Sequence, residues 1–155
     1  MPPVLVVGYG NCLRGDDGVG RCAARGLALR LSAQTAAVLE AHQLLPEMAA
    51  EMSAAQLVVL IDAAVGSPAG VVDQRPVVMA AATNTAASIV GHHLSPEQML
   101  AACDRLYGAC PQMVLFTVRS ESFDFEERLS EPVQRALPGL IGRVEQVILG
   151  RFPPA

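Results

Sequence analysis

VLVVGYGNCLRGDDGVG, residues 4–20, runs a buried strand into a glycine turn and then into two adjacent acids. Val4–Val7 is a short unbroken apolar run, the pattern of a strand covered on both faces. Gly8-Tyr9-Gly10 permits a tight turn and close backbone approach. From there the stretch departs from the dinucleotide-binding fingerprint. Leu13 stands in the slot of the third glycine, and Asp16 and Asp17 open the next helix, where a pyrophosphate would sit. Two carboxylates repel a diphosphate unless a cation intervenes. Glu40, at the end of the next strand, could imitate the ribose-binding acid, so a nucleotide site stands as the weaker alternative.

Working outward, strands and helices alternate. A helix is expected over residues 18–31, with Val19, Cys22, Ala23 and Leu27 on one face. Ala36–Glu40 reads as a second strand, and Pro46 opens a helix to about Ala54. Leu57–Ile61 reads as a third strand ending at Asp62, with a loop over residues 63–70. Val77–Met79, after Pro76, is a candidate for another strand, and residues 80–91 read as a long loop. Ser95-Pro96-Glu97-Gln98 is a capping box that starts a helix running to Tyr107 and Gly108. Met113–Val118 is the last strong strand. Ser130 caps a final helix, which Pro138 and Gly139 should kink or split. The expected fold is α/β: one domain over residues 1–155, three layers (α/β/α), with a mainly parallel, twisted sheet of about five strands.

The composition narrows the function. The chain is 52% hydrophobic with a net charge of −4, and all eleven basic residues are scattered Arg. No basic stripe suits a nucleic acid. No apolar run spans a bilayer, and no signal-like segment opens the chain. The expectation is a cytoplasmic monomer with neither nucleic-acid nor membrane partner. Of the four cysteines, Cys22 and Cys103 fall on helical patterns as small core residues, Cys12 sits in the opening loop, and no C-x-x-C pair exists.

In a parallel sheet, ligands bind beyond the carboxyl ends of the strands. Asp16 and Asp17 follow the first strand, and Asp62 ends the third, so all three belong to one edge. His92 and His93 lie just ahead of the Ser95 cap, from which an imidazole can reach that edge. Two carboxylates and one imidazole form an O/N site for a divalent transition metal with open positions for chemistry. Each residue also has a plainer reading. Asp16 or Asp17 can cap the helix at Gly18, Asp62 can bond loop amides, His42 can cap a turn before Pro46, and either surface histidine can be solvated.

The whole chain resembles the maturation proteases of nickel-iron hydrogenases, the endopeptidases that trim the C-terminus of the large subunit. GYGNCLRGDDGVG is similar to that family's first motif, VVLIDAAVG to its second, GHHLSPEQML to its histidine motif, and LSEPVQRALPGLIGRVEQVI to its closing helix. The resemblance implies Asp17, Asp62 and His92 as metal-binding and catalytic residues, with His93 as the alternate. It implies a nickel-loaded large-subunit precursor as partner, with nickel as the divalent metal, brought by the substrate, and no nucleotide cofactor. Gly10, Asn11, Asp16, Glu40 and His42 are the expected substrate-contact positions. Asp17 or Asp16 is the candidate general base. Two segments depart from the family pattern. LEAHQLLPEMA replaces an Asp-Gly-Gly turn, and Ser120-Glu121-Ser122 replaces a Pro-Glu-Ser segment.

Overall fold

The computed structural model describes residues 2–79, 94–121, 123–124 and 127–153. Within them, strand β1 (Val4–Tyr9) leads through a 3-10 turn (Gly15–Gly18) into helix α1 (Val19–Arg30). Strand β2 (Ala36–Ala41) follows, then a 3-10 turn at Pro46–Met48, helix α2 (Ala49–Ala54) and strand β3 (Leu57–Val65). Strand β4 (Val72–Pro76), helix α3 (Pro96–Tyr107), strand β5 (Gln112–Ser120) and helix α4 (Glu131–Arg151) complete the order.

The five strands form one sheet in the order β2-β1-β3-β5-β4. All neighbours are parallel except β4, which runs antiparallel to β5. Side chains on a strand alternate between faces, so each buried strand feeds two cores. On one face Val58 and Leu60 of β3 pack with Met52 of α2 and Met99 and Cys103 of α3. On the other, Val59 and Ile61 pack with Leu27 of α1 and Leu140, Val144 and Ile148 of α4. The expected three layers are therefore present. Residues 57–61 are all buried, which explains why β3 reads as continuous rather than alternating.

Helix α1 lies very close to the sheet. A methyl group on Gly20 would fall 2.2 Å from the Ile61 carbonyl oxygen, and one on Gly8 would fall 2.0 Å from the Gly20 carbonyl oxygen. Backbone packs on backbone there, and the absent side chains set the depth at which α1 begins.

Helix α3 has the expected ends. The Ser95 hydroxyl accepts the Gln98 N–H at 3.2 Å, the Gln98 side chain accepts the Ser95 N–H at 2.8 Å, and Gly108 closes the helix at φ 62°.

Several expectations need correction. Strand β3 continues to Val65, because β5 pairs with it as far as Ser120; Asp62 is therefore inside the strand, and residues 63–65 are not loop. The additional strand is Val72–Pro76 rather than Val77–Met79. It is a polar edge strand with one neighbour, so it carries no apolar periodicity to read. Helix α4 is not split, and Pro138 lies inside one continuous element. Its stripe of Val133, Leu140, Val144 and Ile148 is fully buried and offsets the hydrogen bond that Pro138 forgoes. Cys22 is only partly buried, whereas Cys103 is in the core as expected. No described helix is long and apolar enough to cross a membrane.

Candidate active site

The site forms where β1 ends and β3 outruns it. β1 pairs with β3 only to Gly8 and Ile61. The chain then turns at Gly10, whose φ of 144° favours glycine. A methyl group there would lie 1.9 Å from the Asp17 carbonyl oxygen, so the turn and the 3-10 segment touch backbone to backbone. The Asn11 N–H donates to the Asp17 carboxylate at 2.7 Å, and the Asn11 side chain accepts the Leu13 N–H at 2.9 Å. These contacts hold Asp17 at the carboxyl edge of the sheet.

The two adjacent acids have opposite surroundings. Asp16 is 2% exposed. Its carboxylate accepts the Ser120 hydroxyl at the end of β5, and the Ser130 N–H and hydroxyl ahead of α4, the latter two at 2.7 Å each. Asp16 thus ties the opening loop to β5 and α4, and its position among the substrate-contact residues and candidate bases is corrected: it is buried and fully engaged. Ser130 precedes α4, but its hydroxyl donates to Asp16 instead of capping the helix. Neither acid's side chain caps α1. Replacing Asp16 with Ala removes the shared acceptor of the Ser120 hydroxyl and the Ser130 N–H and hydroxyl, and should destabilise the protein by about 3 kcal/mol in a denaturant melt.

Asp17 faces outward, and Asp62 faces it. Asp62 lies on the same side of β3 as Val58 and Leu60. Its carboxylate accepts the Ala63 N–H at 2.7 Å and the Tyr9 hydroxyl. Burial and the charge of Asp17 raise the Asp62 pKa to about 7, against the opposing pull of the Ala63 and Tyr9 hydrogen bonds. Burial and the charge of Asp62 push the Tyr9 phenol upward in turn, so it remains a hydrogen-bond donor to the carboxylate. Tyr9 had no signal of its own in the sequence; it stands out only once the strand register is known.

A cleft of about 350 Å³ contains both acids, with Tyr9, Gly10, Asn11, Arg14, His42 and Leu94 among its walls. A second cleft, of about 400 Å³, shares Asp17 and Arg14 and runs along Ala63 and Val65 to Phe123. Gly10, Asn11 and His42 line the cleft that holds both acids. Glu40 does not line either cleft. Its carboxylate pairs with Arg21 at 3.2 Å and Arg25 at 2.8 Å, and these guanidiniums, Arg25 foremost, hold it below the usual carboxylate range. His92 and its alternate His93 lie outside the described residues. Among the described residues, no group of three His, Cys, Asp or Glu side chains is placed to hold a metal.

Several amides of the glycine turn are already taken. The Asn11 N–H is bonded to Asp17, and the Arg14 and Asp17 N–H groups donate within the loop to Asn11 and Arg14 carbonyls at 3.0 and 3.1 Å. These three amides are therefore not available to a pyrophosphate.

No family model matches the chain, and no curated protein matches it. Solved structures do. The hydrogenase maturating endopeptidase HybD from E. coli superposes with a TM-score of 0.72 at 20% identity, over 99% of this chain and 94% of that one. The NiFe hydrogenase maturation protease HycI from Thermococcus kodakarensis KOD1 matches at a TM-score of 0.70 and 21% identity, over 94% of this chain and 91% of that one. An uncharacterized protein from Wolinella succinogenes matches at 0.62 and 19% identity, over 95% and 96%. Over nearly its whole length, this chain has the fold of the hydrogenase maturation endopeptidases.

Proposed function

We propose that this protein is a metal-assisted endopeptidase that removes the C-terminal extension of a nickel-iron hydrogenase large-subunit precursor after nickel insertion. The observation that carries the reading is the pair Asp17 and Asp62, which line one cleft at the carboxyl edge of this fold and interact electrostatically. Their donor chemistry suits a divalent cation. Asp62 is held in its less acidic form by burial and by Asp17, and a cation between the acids removes both penalties. The third ligand in this reading is His92, or else His93. Leu94, the first described residue after that pair, forms part of the cleft wall and donates its N–H to the Leu44 carbonyl at 3.1 Å.

Nickel enters as part of the substrate, where it can polarise the scissile carbonyl or acidify a bound water. The protein's own groups have separable tasks. Asn11 and Gly10 fix Asp17; Tyr9 and the Ala63 N–H fix Asp62. With a pKa near neutrality before a cation binds, Asp62 gives up its proton on binding one, so loading is coupled to pH. Asp16 is excluded as the base by its burial, which leaves Asp17.

The test is to mix the protein with nickel-loaded and nickel-free precursor and weigh the products by mass spectrometry. Loss of a C-terminal fragment from the nickel-loaded form alone is expected. A precursor that binds but keeps its mass would identify a non-catalytic nickel-binding or chaperone module instead. Stabilisation by NAD or ATP in a thermal-shift assay would favour the nucleotide alternative, against the occupied loop amides.

A further inference from the structure

The part of β3 that outruns β1 has one unpaired edge. Gln112 donates its N–H to the Gln56 carbonyl at 3.2 Å, and Gly66 donates to Ser120 at 3.1 Å, so even-numbered residues along β3 face β5. Leu57 donates to Pro3 at 3.1 Å, so odd-numbered residues face β1. β1 stops pairing at Ile61, and the odd residues beyond it, Ala63 and Val65, face the second cleft. The Ala63 N–H is taken by Asp62. The Ala63 carbonyl and the Val65 N–H and carbonyl have no backbone partner among the described residues. Val65 is 85% exposed, with Phe123 across the cleft.

We infer that this edge of β3, from Ala63 to Val65, binds the substrate's C-terminal segment as an added strand that starts at Asp62. The inference rests on the endopeptidase reading and says where the peptide lies. Three observations converge on an extended polypeptide as the occupant. The unpaired groups alternate carbonyl, N–H, carbonyl, which a strand backbone satisfies and a compact surface does not. The edge is continuous with the carboxylate pair, since both clefts share Asp17 and Arg14. The exposed Val65 and the partly buried Phe123 offer apolar contact to alternate side chains of such a strand. From Asp62 to Val65 the strand is about 10 Å long, enough to hold about three residues on one side of the scissile bond. The backbone would then supply affinity, and the register would place one peptide bond beside Asp62.

Val65→Pro removes the N–H of this edge that has no backbone partner among the described residues, and leaves the β5-facing ladder of even residues unaltered. Val65→Thr keeps the N–H. Dissociation constants for nickel-loaded precursor, measured by biolayer interferometry, should be about ten-fold weaker for Val65→Pro than for Val65→Thr, with matching melting curves. Equal constants for the two variants overturn the inference. Should Val65→Pro fail to fold, a synthetic peptide spanning the precursor's cleavage region is used as a competitor, methylated at one backbone nitrogen at a time. Loss of competition at alternate positions is expected, and uniform tolerance or uniform loss overturns the inference. Precursor that binds wild-type protein without losing mass defeats the hydrolytic reading alone, because the edge is still judged on binding. Precursor that does not bind at all defeats both.

Discussion

Asp62→Asn should abolish precursor processing while making the protein more stable above neutral pH. The two effects have one cause. A folded-state pKa of about 7, against 3.8 for an ordinary Asp, means that the fold favours the protonated carboxyl. The stability this contributes is fully present below pH 4, where Asp62 is protonated in both the folded and unfolded chain. It is lost as pH rises from about 4 to 7, where the unfolded chain gives up its proton and the folded chain still holds it. Above pH 7 the deficit is constant, on the order of 4 kcal/mol at most for a shift of this size. Asparagine keeps the shape and still accepts hydrogen bonds from Ala63 and Tyr9, yet never ionises. Its melting temperature should therefore match wild type near pH 4 and exceed it at pH 8. On the proposed mechanism, the same substitution removes a charged metal ligand, so processing should fall by at least about a thousand-fold. Paired melts at pH 4 and 8, with precursor cleavage on the same preparations, check both halves. A variant that gains stability and still cleaves at the wild-type rate removes Asp62 from the chemistry.

Gly20→Ala should be strongly damaging for a single added methyl. The added carbon would meet the Ile61 carbonyl oxygen at 2.2 Å and the Tyr9 carbonyl oxygen at 2.9 Å, and neither belongs to a side chain that can rotate away. Relief requires α1 to lift from β1 and β3, which opens the buried contacts of Val19 and Ala23. A cost of about 3 kcal/mol is expected, or a fall of roughly 10 °C in melting temperature. The 3-10 turn that carries Asp17 is joined directly to α1, so processing should fall more than the loss of folded protein accounts for. Calorimetry together with cleavage measured well below the melting point separates the two. Normal activity in a destabilised variant would show that the position of Asp17 does not depend on how closely α1 packs.

The first helix and strand, the buried third strand and the capped helix at Ser95 were legible because each satisfies a local rule: a continuous apolar run, a 3.6-residue stripe or a capping box. The edge strand Val72–Pro76 was not, because an exposed strand with one neighbour needs no apolar face. The end of β3 was misplaced for a related reason. Residues 62–65 are strand only because β5 pairs with them, and a partner 55 positions further along leaves no mark on the local pattern.

The site divides in the same way. Sequence by itself determined that acids follow the first strand and the apolar run of the third, and that a parallel sheet brings those positions to one edge, because parallel strands all point their carboxyl ends the same way. Only the tertiary structure decided which of two neighbouring acids serves the cleft. Asp16 turns inward to the Ser120 and Ser130 hydroxyls, which come from segments more than a hundred residues away, and Asp17 is left facing Asp62. It likewise decided that Glu40 belongs to two arginines of α1 and that Tyr9 belongs to Asp62. Hydrogen bonds and burial between distant segments set those assignments, and a local sequence pattern contains neither.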